Sequence, residues 1–378
     1  MRKLAIALLL SVLLCGCNAA KQVADQPAPD PSASARWNPE LTPRKDPHNP
    51  IIVPTQAWEG DNVEDGSVIR VGDTYYRFYC AGTSVFNIGY ATAQVEHPPT
   101  IFPPAQWTKY ANNPIITVQD AYPNAKGFAI CAPRVIQMPD GSFRMYVHAF
   151  DGTHDRGFLF TTRSNPNPRG QSGFPSKWTI ANGGIPIFME GAPGQWDSRL
   201  IQTQMIIPAF DGTPDGLWHM FYFGSNDGIR SEGGHATSPD GIVWTRDPAN
   251  PVMIPGSADW NMDSVGPNGG WLKRGSTYYL TAGGYTYTPV CNSGGHWSVG
   301  YYSTDNLYDL TPSTNPLIQG TPGIWDCAGI EAADILQSNG NIWMFYLGST
   351  IGYGNVYRVG AANWNWRGEL ENQPGTPR

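Results

Sequence analysis

Carboxylate side chains stand at the beginning of apolar segments at several places in the chain. Glu331 is the second residue of the stretch IEAADILQSNGNIWMFYLGS, and Asp65 and Asp263 stand directly before or within similar stretches. An unpaired charge is costly to bury, so an acid in such a position is usually paired or chemically active. Two neighbouring carboxyl groups, one protonated and one ionised, can act as general acid and general base. The sequence therefore predicts an acid/base site carried by strands.

Asp197 belongs to the same group, although it follows a tryptophan that recurs through the chain. An aspartate in such a position is often a turn or cap residue that bonds its own backbone, and the same alternative applies to Asp326. Taken together, the candidate catalytic residues are Asp65, Asp197, Asp263 and Glu331, and the candidate substrate-binding residues are Glu64, Arg134, His148 and Arg199.

The elements that must position these residues form an internal repeat. Its landmark is a proline, usually after asparagine, which recurs at intervals of 64, 72, 65 and 65 residues: Pro50, Pro114, Pro186, Pro251 and Pro316. Each unit contains an apolar strand, a glycine-containing turn and an aromatic strand with period-two alternation, which is typical of a β-hairpin. Further short strands bring each unit to about four. A repeat of this kind indicates a propeller.

Four-stranded sheets of this kind cannot bury both faces alone, so we expect five of them to pack around a common axis. The predicted fold is all-β: a five-bladed β-propeller over residues 36–370, with about four antiparallel strands in each blade. Trp37-Asn38 resembles Trp364-Asn365, so the amino-terminal strand is expected to complete the last blade. The first strands of all blades then run in the same direction along a central channel. Acids that begin those strands would converge on one face, however distant in sequence.

The repeat resembles the five-bladed glycosidase superfamily that includes arabinanases, β-xylosidases, invertases and mannoside phosphorylases. The first unit already shows the likeness, in five short sequences: NPII from Asn49, Trp58, GSVI from Gly66, TYYRFYCAG from Thr74 and IGYATA from Ile88. Residues 132–135, APRV, are similar to the APDV-type inner strand of the arabinanase group, with Arg134 in place of the acid. Residues 330–335, IEAADI, resemble that group's EAP or EGP motif, whose glutamate is the general acid. Asp65 matches the position of the catalytic base, with Gly66 in place of a proline.

The resemblance implies glycoside hydrolysis by two carboxyl groups, which lie about 6.5–9.5 Å apart when the reaction inverts the anomeric centre. Asp65 would be the base, and Asp197 would orient or tune the acid. The acid itself is either Glu331 or Asp263, because Val265 stands where the family's glutamate is expected in the fourth unit.

Other side chains near these acids are candidates for binding the sugar. Arg134 and Arg199 can hydrogen-bond sugar hydroxyls, or a carboxylate or sulfate group of an acidic glycan. His148 lies just past an inner hairpin, and Glu64 directly precedes Asp65.

The aromatic residues divide into two sets. Tryptophans at nearly equal offsets after the prolines are predicted to belong to the core of each unit: Trp58, Trp196, Trp260 and Trp325. Tyr285, Tyr287 and Trp297 lie in an irregular part of the fourth unit, where the repeat does not explain them. They are the better candidates for stacking on a sugar ring.

The composition restricts the class of partner. Charged residues make up only 15% of the 378 residues, and the formal net charge is −7. This balance offers no basic patch for a phosphate backbone, so nucleic acid is not an expected partner. A neutral carbohydrate fits better, and we expect a monomer. No cofactor is predicted and no metal-ligand spacing is visible, although a structural cation in the central channel is left as an alternative.

The amino terminus has the pattern of a bacterial lipoprotein. Arg2 and Lys3 precede an apolar run that is too short to span a bilayer. Residues 14–17, LCGC, resemble a lipobox, which implies cleavage before Cys17 and diacylation of its sulfur. An ordinary signal peptide cut nearby is the alternative.

This pattern predicts how the chain is divided and where it resides. Residues 1–16 would be a signal peptide, residues 17–35 a flexible tether rich in Ala, Pro, Asp and Ser, and residues 371–378 a short tail. The lipid would anchor the domain to a membrane of the cell envelope.

Four cysteines remain besides Cys17, an even number in an exported chain, which favours disulfides. Three pairings are possible. Cys291 precedes the fifth unit and Cys327 opens it, so we favour pairing these two and pairing Cys80 with Cys131. Buried free thiols are the alternative.

Three functions fit these observations. The first is a glycoside hydrolase acting on a polysaccharide or oligosaccharide. The second is a glycan-binding propeller without catalysis, because Val265 and Arg134 stand where acids are expected. The third is a mannoside-type phosphorylase, which would need basic residues such as Arg134 and Arg199 to hold phosphate.

Overall fold

The part of the chain that the structure describes is built almost entirely from β-strands. The computed structural model describes residues 43–96, 103–123, 127–163, 173–288, 291, 294–338, 341–349 and 356–364. The predicted signal peptide, Cys17, the tether, Trp37-Asn38 and the tail lie outside the described residues. Helical structure in the described ranges consists of α1, Val118–Ala121, and the 3-10 turns Ala57–Glu59, Asn182–Gly184, Ala209–Asp211 and Asp259–Asn261. No helix within these ranges has the length and apolar character to span a membrane.

The strands fall into five groups along the chain. After β1, Arg44–Lys45, the first group is β2, Asn62–Val71, β3, Thr74–Gly82, β4, Asn87–Gln94, and β5, Thr108–Lys109. The second group is β6, Ala129–Gln137, β7, Ser142–Phe150, β8, Asp155–Arg163, and β9, Thr179–Ile180. The third group is β10, Leu200–Ile207, β11, Trp218–Ser225, β12, Glu232–Ser238, and β13, Thr245–Arg246.

The last two groups follow the same plan. The fourth is β14, Ser264–Arg274, β15, Thr277–Thr286, β16, His296–Thr304, β17, Thr311–Pro312, and β18, Ile318–Gln319. The fifth is β19, Gly329–Ser338, β20, Asn341–Ser349, and β21, Tyr357–Trp364. Within each group consecutive strands pair antiparallel, except that β17 and β18 both pair with β16. One parallel pair, Trp297 with Gly329, joins the fourth group to the fifth.

The two ends of the described chain meet in the fifth group. Strand β1 pairs antiparallel with β21, with Arg44 opposite Asn363 and Lys45 opposite Ala362. An amino-terminal strand therefore does extend the last sheet. The residues that form it in the described ranges are Arg44 and Lys45.

The hydrophobic core is divided into five clusters, each between two neighbouring groups. Side chains from groups one and two form one cluster, and the other clusters join groups two and three, three and four, four and five, and five and one. Period-two strands place one set of side chains on each face of a sheet, so every sheet can serve two clusters. The prediction of an all-β chain made of repeated antiparallel sheets is confirmed.

The first strands of the groups contact each other in the same cyclic order. β2 contacts β6, β6 contacts β10, β10 contacts β14, β14 contacts β19, and β19 contacts β2. These five strands therefore line one shared inner region, and residues far apart in the sequence meet there.

Two disulfides match the pairing favoured from the sequence. Cys80 on β3 is bonded to Cys131 on β6, and Cys291 is bonded to Cys327. The first of them links group one to group two, beside the inner region. The pairing prediction is confirmed.

Candidate active site

A β-bulge interrupts every first strand in the inner region. The register with the second strand shifts between Val63 and Gly66, Cys131 and Arg134, Thr203 and Met205, Pro267 and Trp271, and Glu331 and Asp334. A bulge bends a strand and re-aims its side chains, and bulges are common next to active sites. At these bulges the chain carries polar residues, including Glu64, Asp65, Gln204, Asn268 and Glu331.

Arg134 joins several groups through these bulges. Its guanidinium donates to the Asp65 carboxylate at 2.7 Å and to the Gln204 side-chain oxygen at 2.8 Å, and it also donates to the carbonyl of Gly66. The side chain is almost fully buried. A Cβ added at Gly269 would lie 2.0 Å from the guanidinium, so only glycine fits there. Arg134 from group two is thus held by residues of groups one and three and covered by group four.

This environment changes the interpretation of Arg134. It was expected to bind substrate or, in a phosphorylase, phosphate. Its two terminal guanidinium nitrogens donate instead to acceptors of the protein, while its buried Nε has no hydrogen-bond partner within the described residues. The side chain places a fixed positive charge in the region where a channel cation was the alternative. We therefore regard Arg134 as a positioning residue that holds Asp65.

A second buried arginine, which the sequence analysis did not single out, supports the same region. Arg77 on β3 is fully buried, donates to the Gly66 carbonyl at 3.0 Å, and lies 3.8 Å from the carboxylate of Asp334. Asp334 accepts a hydrogen bond from the Val68 backbone at 2.7 Å. Burial lowers the pKa of Arg77 to about 10 and raises the pKa of Asp334, while the two opposite charges offset part of both effects. This pair fastens group five to group one.

Arg77 and Arg134 together form what we call the arginine layer. Three carboxyl groups lie together on its amino-terminal side. Glu64 and Asp65 come from the β2 bulge and Glu331 from the β19 bulge. Burial raises the pKa of Glu331 to about 7, with a further contribution from Asp65 and an opposing hydrogen bond from Tyr357. Burial and the charges of Glu331 and Asp65 raise the pKa of Glu64 well above its usual range. The cluster therefore combines two carboxyl groups of raised pKa with the carboxylate of Asp65, which is ion-paired with Arg134.

Glu64 also lies against the disulfide between groups one and two. One of its carboxylate oxygens and the sulfurs of Cys80 and Cys131 lie within 4.8 Å of one another. This is the one grouping in the described ranges with the spacing of metal ligands. Because both sulfurs are used in a disulfide, they offer no thiolate to a metal ion.

His148 lies beside the same layer. It stands opposite Cys131 in the β6–β7 pairing and is buried, with no hydrogen-bond partner for Nδ1 within the described residues. Burial and the charge of Arg134 lower the pKa of His148 to about 3, so the imidazole is neutral at physiological pH. The structure thus brings together Glu64, Asp65, Arg134, His148 and Glu331.

Asp197 has different partners, on the outer side of group three. Its Oδ2 accepts hydrogen bonds from the Tyr222 hydroxyl at 3.1 Å and from Arg246 at 2.8 Å. Tyr222 lies on β11 and Arg246 on the outer strand β13, and Trp196 stacks on Tyr222 with ring centroids 5.6 Å apart. These contacts fit the structural alternative for Asp197 and not the expected role of tuning the acid.

The same arrangement occurs in three groups, and we call it the outer acid trio. Each trio combines an acid after a tryptophan, a tyrosine of the second strand and a base of the outermost strand: Glu59, Tyr79 and Lys109; Asp197, Tyr222 and Arg246; Asp326, Tyr346 and Lys45. The acids of all three trios are buried and bonded to a base. Their repetition in separate sheets indicates a role in folding.

The remaining two candidates also lie apart from the cluster in their contacts. Asp263 accepts a hydrogen bond from the Tyr287 backbone at 2.8 Å, and Arg230 lies 3.9 Å away. Arg199 is exposed and donates to the Asp227 carbonyl at 2.7 Å. Asp263 therefore resembles a turn residue more than a general acid.

The aromatic predictions can be compared with ring contacts. Each repeated tryptophan packs on a tyrosine of its own group. The distances between the two ring centroids are 5.8 Å for Trp58, 5.6 Å for Trp196, 6.3 Å for Trp260 and 5.8 Å for Trp325. In the other set, Tyr285 contacts Tyr287 at 5.1 Å and Trp297 at 5.4 Å. Tyr287 is about half exposed. Tyr285 and Trp297 are buried, so of these three rings only Tyr287 is accessible to a sugar ring.

A cavity of about 350 Å³ lies on the other side of the arginine layer. Arg134 and Asp334 form part of its wall, and Val135, Trp271 and Ile335 come from the later halves of the first strands. None of the clustered carboxyl groups Glu64, Asp65 and Glu331 lines it. We place the candidate active site at the carboxyl groups, because a raised pKa beside an ion-paired acid is the more specific chemical signal.

Comparisons with known proteins agree with this architecture. No family model and no curated protein matches the sequence. Among solved structures, a glycosyl hydrolase from Bacteroides ovatus is 14% identical with a TM-score of 0.61, over 85% of this chain and 93% of that one. A thermostable family-43 glycoside hydrolase is 17% identical with a TM-score of 0.57, over 82% and 92%.

A further structure comes from the GH130 family of mannoside phosphorylases, which contains glycoside hydrolases that target β-1,2-mannosidic linkages in Candida mannan. It is 14% identical with a TM-score of 0.63, over 89% of this chain and 96% of that one. The chain has the fold of these enzymes. The resemblance to the glycosidase superfamily is thereby confirmed at the level of fold. Sequence identities of 14–17% do not indicate a substrate or a mechanism.

Proposed function

We propose that the protein is a glycoside hydrolase whose general acid is Glu331. The observation that carries this proposal is the cluster at the bulges of β2 and β19, where Asp65 is ion-paired with Arg134 and burial raises the pKa of Glu331 to about 7. A protonated carboxyl group and a charged carboxylate in one site are what acid/base cleavage of a glycosidic bond requires. The fold shared with glycoside hydrolases supports the same reaction class.

The proposal includes the architecture that brings these residues together. We infer a five-bladed β-propeller in which groups one to five are the blades and β1 completes the last one. The cyclic contacts of the first strands and the five core clusters between neighbouring groups support it. A ring places Glu331 of the last blade beside Asp65 of the first.

Each carboxyl group then has a role. Glu331 donates its proton to the leaving oxygen. Asp65 activates the attacking water: its Oδ1 is bonded to Arg134 and to the Gly66 backbone, and its Oδ2 takes part in neither bond. Glu64, whose pKa is raised by burial and by the neighbouring acids, hydrogen-bonds a sugar hydroxyl. A water-activating base and a separate acid imply inversion at the anomeric carbon.

The place of action is part of the proposal as well. A lipobox at Cys17 and a tether over residues 17–35 support an enzyme anchored in the cell envelope of a bacterium. The substrate would be a polysaccharide or oligosaccharide that the tethered domain reaches from the membrane.

Phosphorolysis is the competing reaction, since one structure of similar fold comes from a family of mannoside phosphorylases. The two arginines considered for phosphate, Arg134 and Arg199, both donate to protein oxygens. Water is therefore the favoured acceptor.

The test is a panel of oligosaccharides incubated with the purified protein, with and without phosphate, with Glu331→Gln as the matched control. We expect free sugar without phosphate, and loss of that activity in the variant. If the product with phosphate is a sugar phosphate, the reaction is phosphorolysis and the proposal of hydrolysis is wrong. Binding without any turnover would reject the enzyme proposal and leave a glycan-binding protein.

A further inference from the structure

The cavity on the far side of the arginine layer plays no part in the proposed reaction. Its volume is about 350 Å³, which lies within the usual range for small-ligand sites. Every first strand contributes to its wall, with Val68 from β2, Val135 from β6, Ile206 from β10, Trp271 from β14 and Ile335 from β19. A largely apolar wall with a few polar groups is typical of a binding site.

Two aromatic rings from neighbouring groups belong to this wall. Trp271 on β14 is partly buried, and its ring centroid lies 6.1 Å from that of Tyr278. Phe210, which follows β10, is 43% exposed and packs edge-on against Trp218 with ring centroids 5.5 Å apart. Aromatic rings of this kind offer an apolar surface for the C–H face of a sugar ring.

The turn that carries Phe210 is held in place without a ligand. It is the 3-10 turn Ala209–Asp211, and the carbonyl of the next residue, Gly212, accepts hydrogen bonds from Lys273 Nζ at 2.8 Å and from the Tyr278 hydroxyl at 3.0 Å. Both donors belong to group four, which also supplies Trp271. A wall that is fixed in advance loses less conformational entropy when a ligand binds.

Two uncharged amides are available at the same wall. Gln137 lies at the end of β6 and Gln337 near the end of β19, and both residues are exposed. Neither side-chain amide forms a hydrogen bond with the described part of the chain. An amide can both donate and accept, so it pairs with a hydroxyl group in either direction. Arg134 also lines the cavity, and its buried Nε has no partner among the described residues.

The charges at the cavity leave no surplus that would attract an ion. Arg134 and Asp334 of the wall are each close to an opposite charge of the protein, at 2.7 and 3.8 Å. At the rim, Lys273 brings a positive charge near Asp211, because its ammonium bonds the adjacent carbonyl of Gly212. Each charge of the wall has an opposite charge near it, so a neutral ligand fits this cavity better than an ion.

We propose that this cavity is a second binding site, which takes a neutral sugar. The apolar face of the sugar ring packs on Phe210 and Trp271, and its hydroxyl groups bond the amides of Gln137 and Gln337. Among neutral ligands, the choice of a sugar rests on the proposed function, since an enzyme that cleaves glycans works among sugars. The arginine layer separates the cavity from the carboxyl groups, so a sugar bound there is not cleaved.

The side-chain amides provide a direct test of this site. Protein labelled with nitrogen-15 in its glutamine side chains is titrated with methyl glycosides of glucose, mannose, galactose, xylose and arabinose, and with glucuronate as the charged probe. The variants Gln137→Ala and Gln337→Ala assign the two signals. We expect both signals to shift with at least one neutral glycoside. The signal of Gln94, an exposed glutamine at the end of β4 outside the cavity, should stay in place.

The affinities of variants supply a second readout, and thermal unfolding checks that each variant is folded. Gln337→Ala should weaken the binding measured at the Gln137 signal about fivefold, the effect of losing one hydrogen bond. Phe210→Ala should weaken it about tenfold, because the sugar ring loses an aromatic partner. Gln94→Ala is the matched control and should bind the glycoside as the wild type does. Equal affinity in all three variants would overturn the proposal.

Failure of this site and failure of the proposed function give different results. If no neutral glycoside moves the signals of Gln137 and Gln337 while the panel substrate is still hydrolysed, the second site is wrong and the enzyme proposal is unaffected. If the signals move and no substrate is hydrolysed, the second site is supported and the enzyme proposal is wrong. Tighter binding of glucuronate than of every neutral glycoside would also overturn the second site, because the paired charges predict the reverse.

Discussion

Two sets of acids in this protein have opposite surroundings. The acids of the outer acid trios each bond a tyrosine and a base of their own sheet, as Asp197 does with Tyr222 and Arg246. Glu64 and Glu331, at the bulges of the first strands, form no salt bridge with a base in the described ranges, and their pKa values are raised. Asp65 lies between the two cases, since its base comes from another sheet.

The difference shows how the same residue type can serve folding or chemistry. A carboxylate paired with a base is stable in its charged form and has little reason to exchange a proton near neutral pH. A carboxyl group that is buried next to other acids keeps its proton and can donate it. The partners of an acid are therefore a better guide to its role than its place before a strand.

The largest expected effect is that of Glu331→Gln on turnover. Glutamine keeps the shape but cannot donate a proton, and loss of a general acid reduces rates by about 10²–10⁴-fold. Hydrolysis rates of the variant on the panel substrate measure this. Above neutral pH the variant should be more stable than the wild type. The reason is that the folded wild-type protein disfavours the charged form of Glu331, which costs the wild type stability from about pH 4.5 upward. A fully active variant would remove Glu331 from the site.

Arg134→Met should reduce both stability and activity. It leaves the buried carboxylate of Asp65 without its base, and breaking a buried ion pair in this way costs about 3–5 kcal/mol. Urea unfolding measures the free energy, and hydrolysis below the unfolding transition measures the activity. Arg134→Lys is the control: it keeps the charge but cannot reach Asp65, Gly66 and Gln204 together, so only partial recovery is expected. Stability equal to the wild type would contradict the positioning role.

Asp197→Asn should lower stability and leave catalysis nearly unchanged. The variant removes the charge that Arg246 and Tyr222 contact, and we expect a loss of about 1–3 kcal/mol, because Arg246 remains partly exposed to water. Thermal unfolding and the rate per folded molecule separate the two effects. A large fall in the rate with normal stability would return Asp197 to the catalytic group and weaken the contrast between the two sets of acids.

Asp263→Asn should have the smallest effect. Its main contact is a backbone hydrogen bond, which asparagine can also accept, so stability should change by less than about 0.5 kcal/mol and the rate by less than about threefold. Rates of Asp263→Asn and Glu331→Gln on one substrate decide between the two acids that the sequence left open. A loss of activity confined to Asp263→Asn would reverse the assignment.

The sequence alone predicted the repeats, the all-β class and the two disulfides, because prolines, aromatic strands and cysteine positions are local or evenly spaced signals. It also placed Asp65 and Glu331 at the beginning of inner strands. The structural role of Asp197 had a visible signal, the repeated tryptophan followed by an acid in WEG, WDS and WDC.

The partners of the central residues could not be predicted in the same way. Arg134 bonds Asp65 and Gln204, which lie 69 and 70 positions away in two different sheets. In the sequence, Arg77 looks like an ordinary charged residue of a strand with alternating polarity. Its contact with Asp334 depends on a bulge in β19. Bulges change the facing of side chains without changing the apolar pattern, so the sequence does not display them.

The most direct test of the account is the pH dependence of kcat/KM for the wild-type protein, which reports the pKa values of the free enzyme. We predict that kcat/KM falls as the pH rises through about 7, because Glu331 loses the proton that it must donate. A value of kcat/KM that stays constant from pH 5 to pH 9 would contradict the assignment of Glu331 as the general acid.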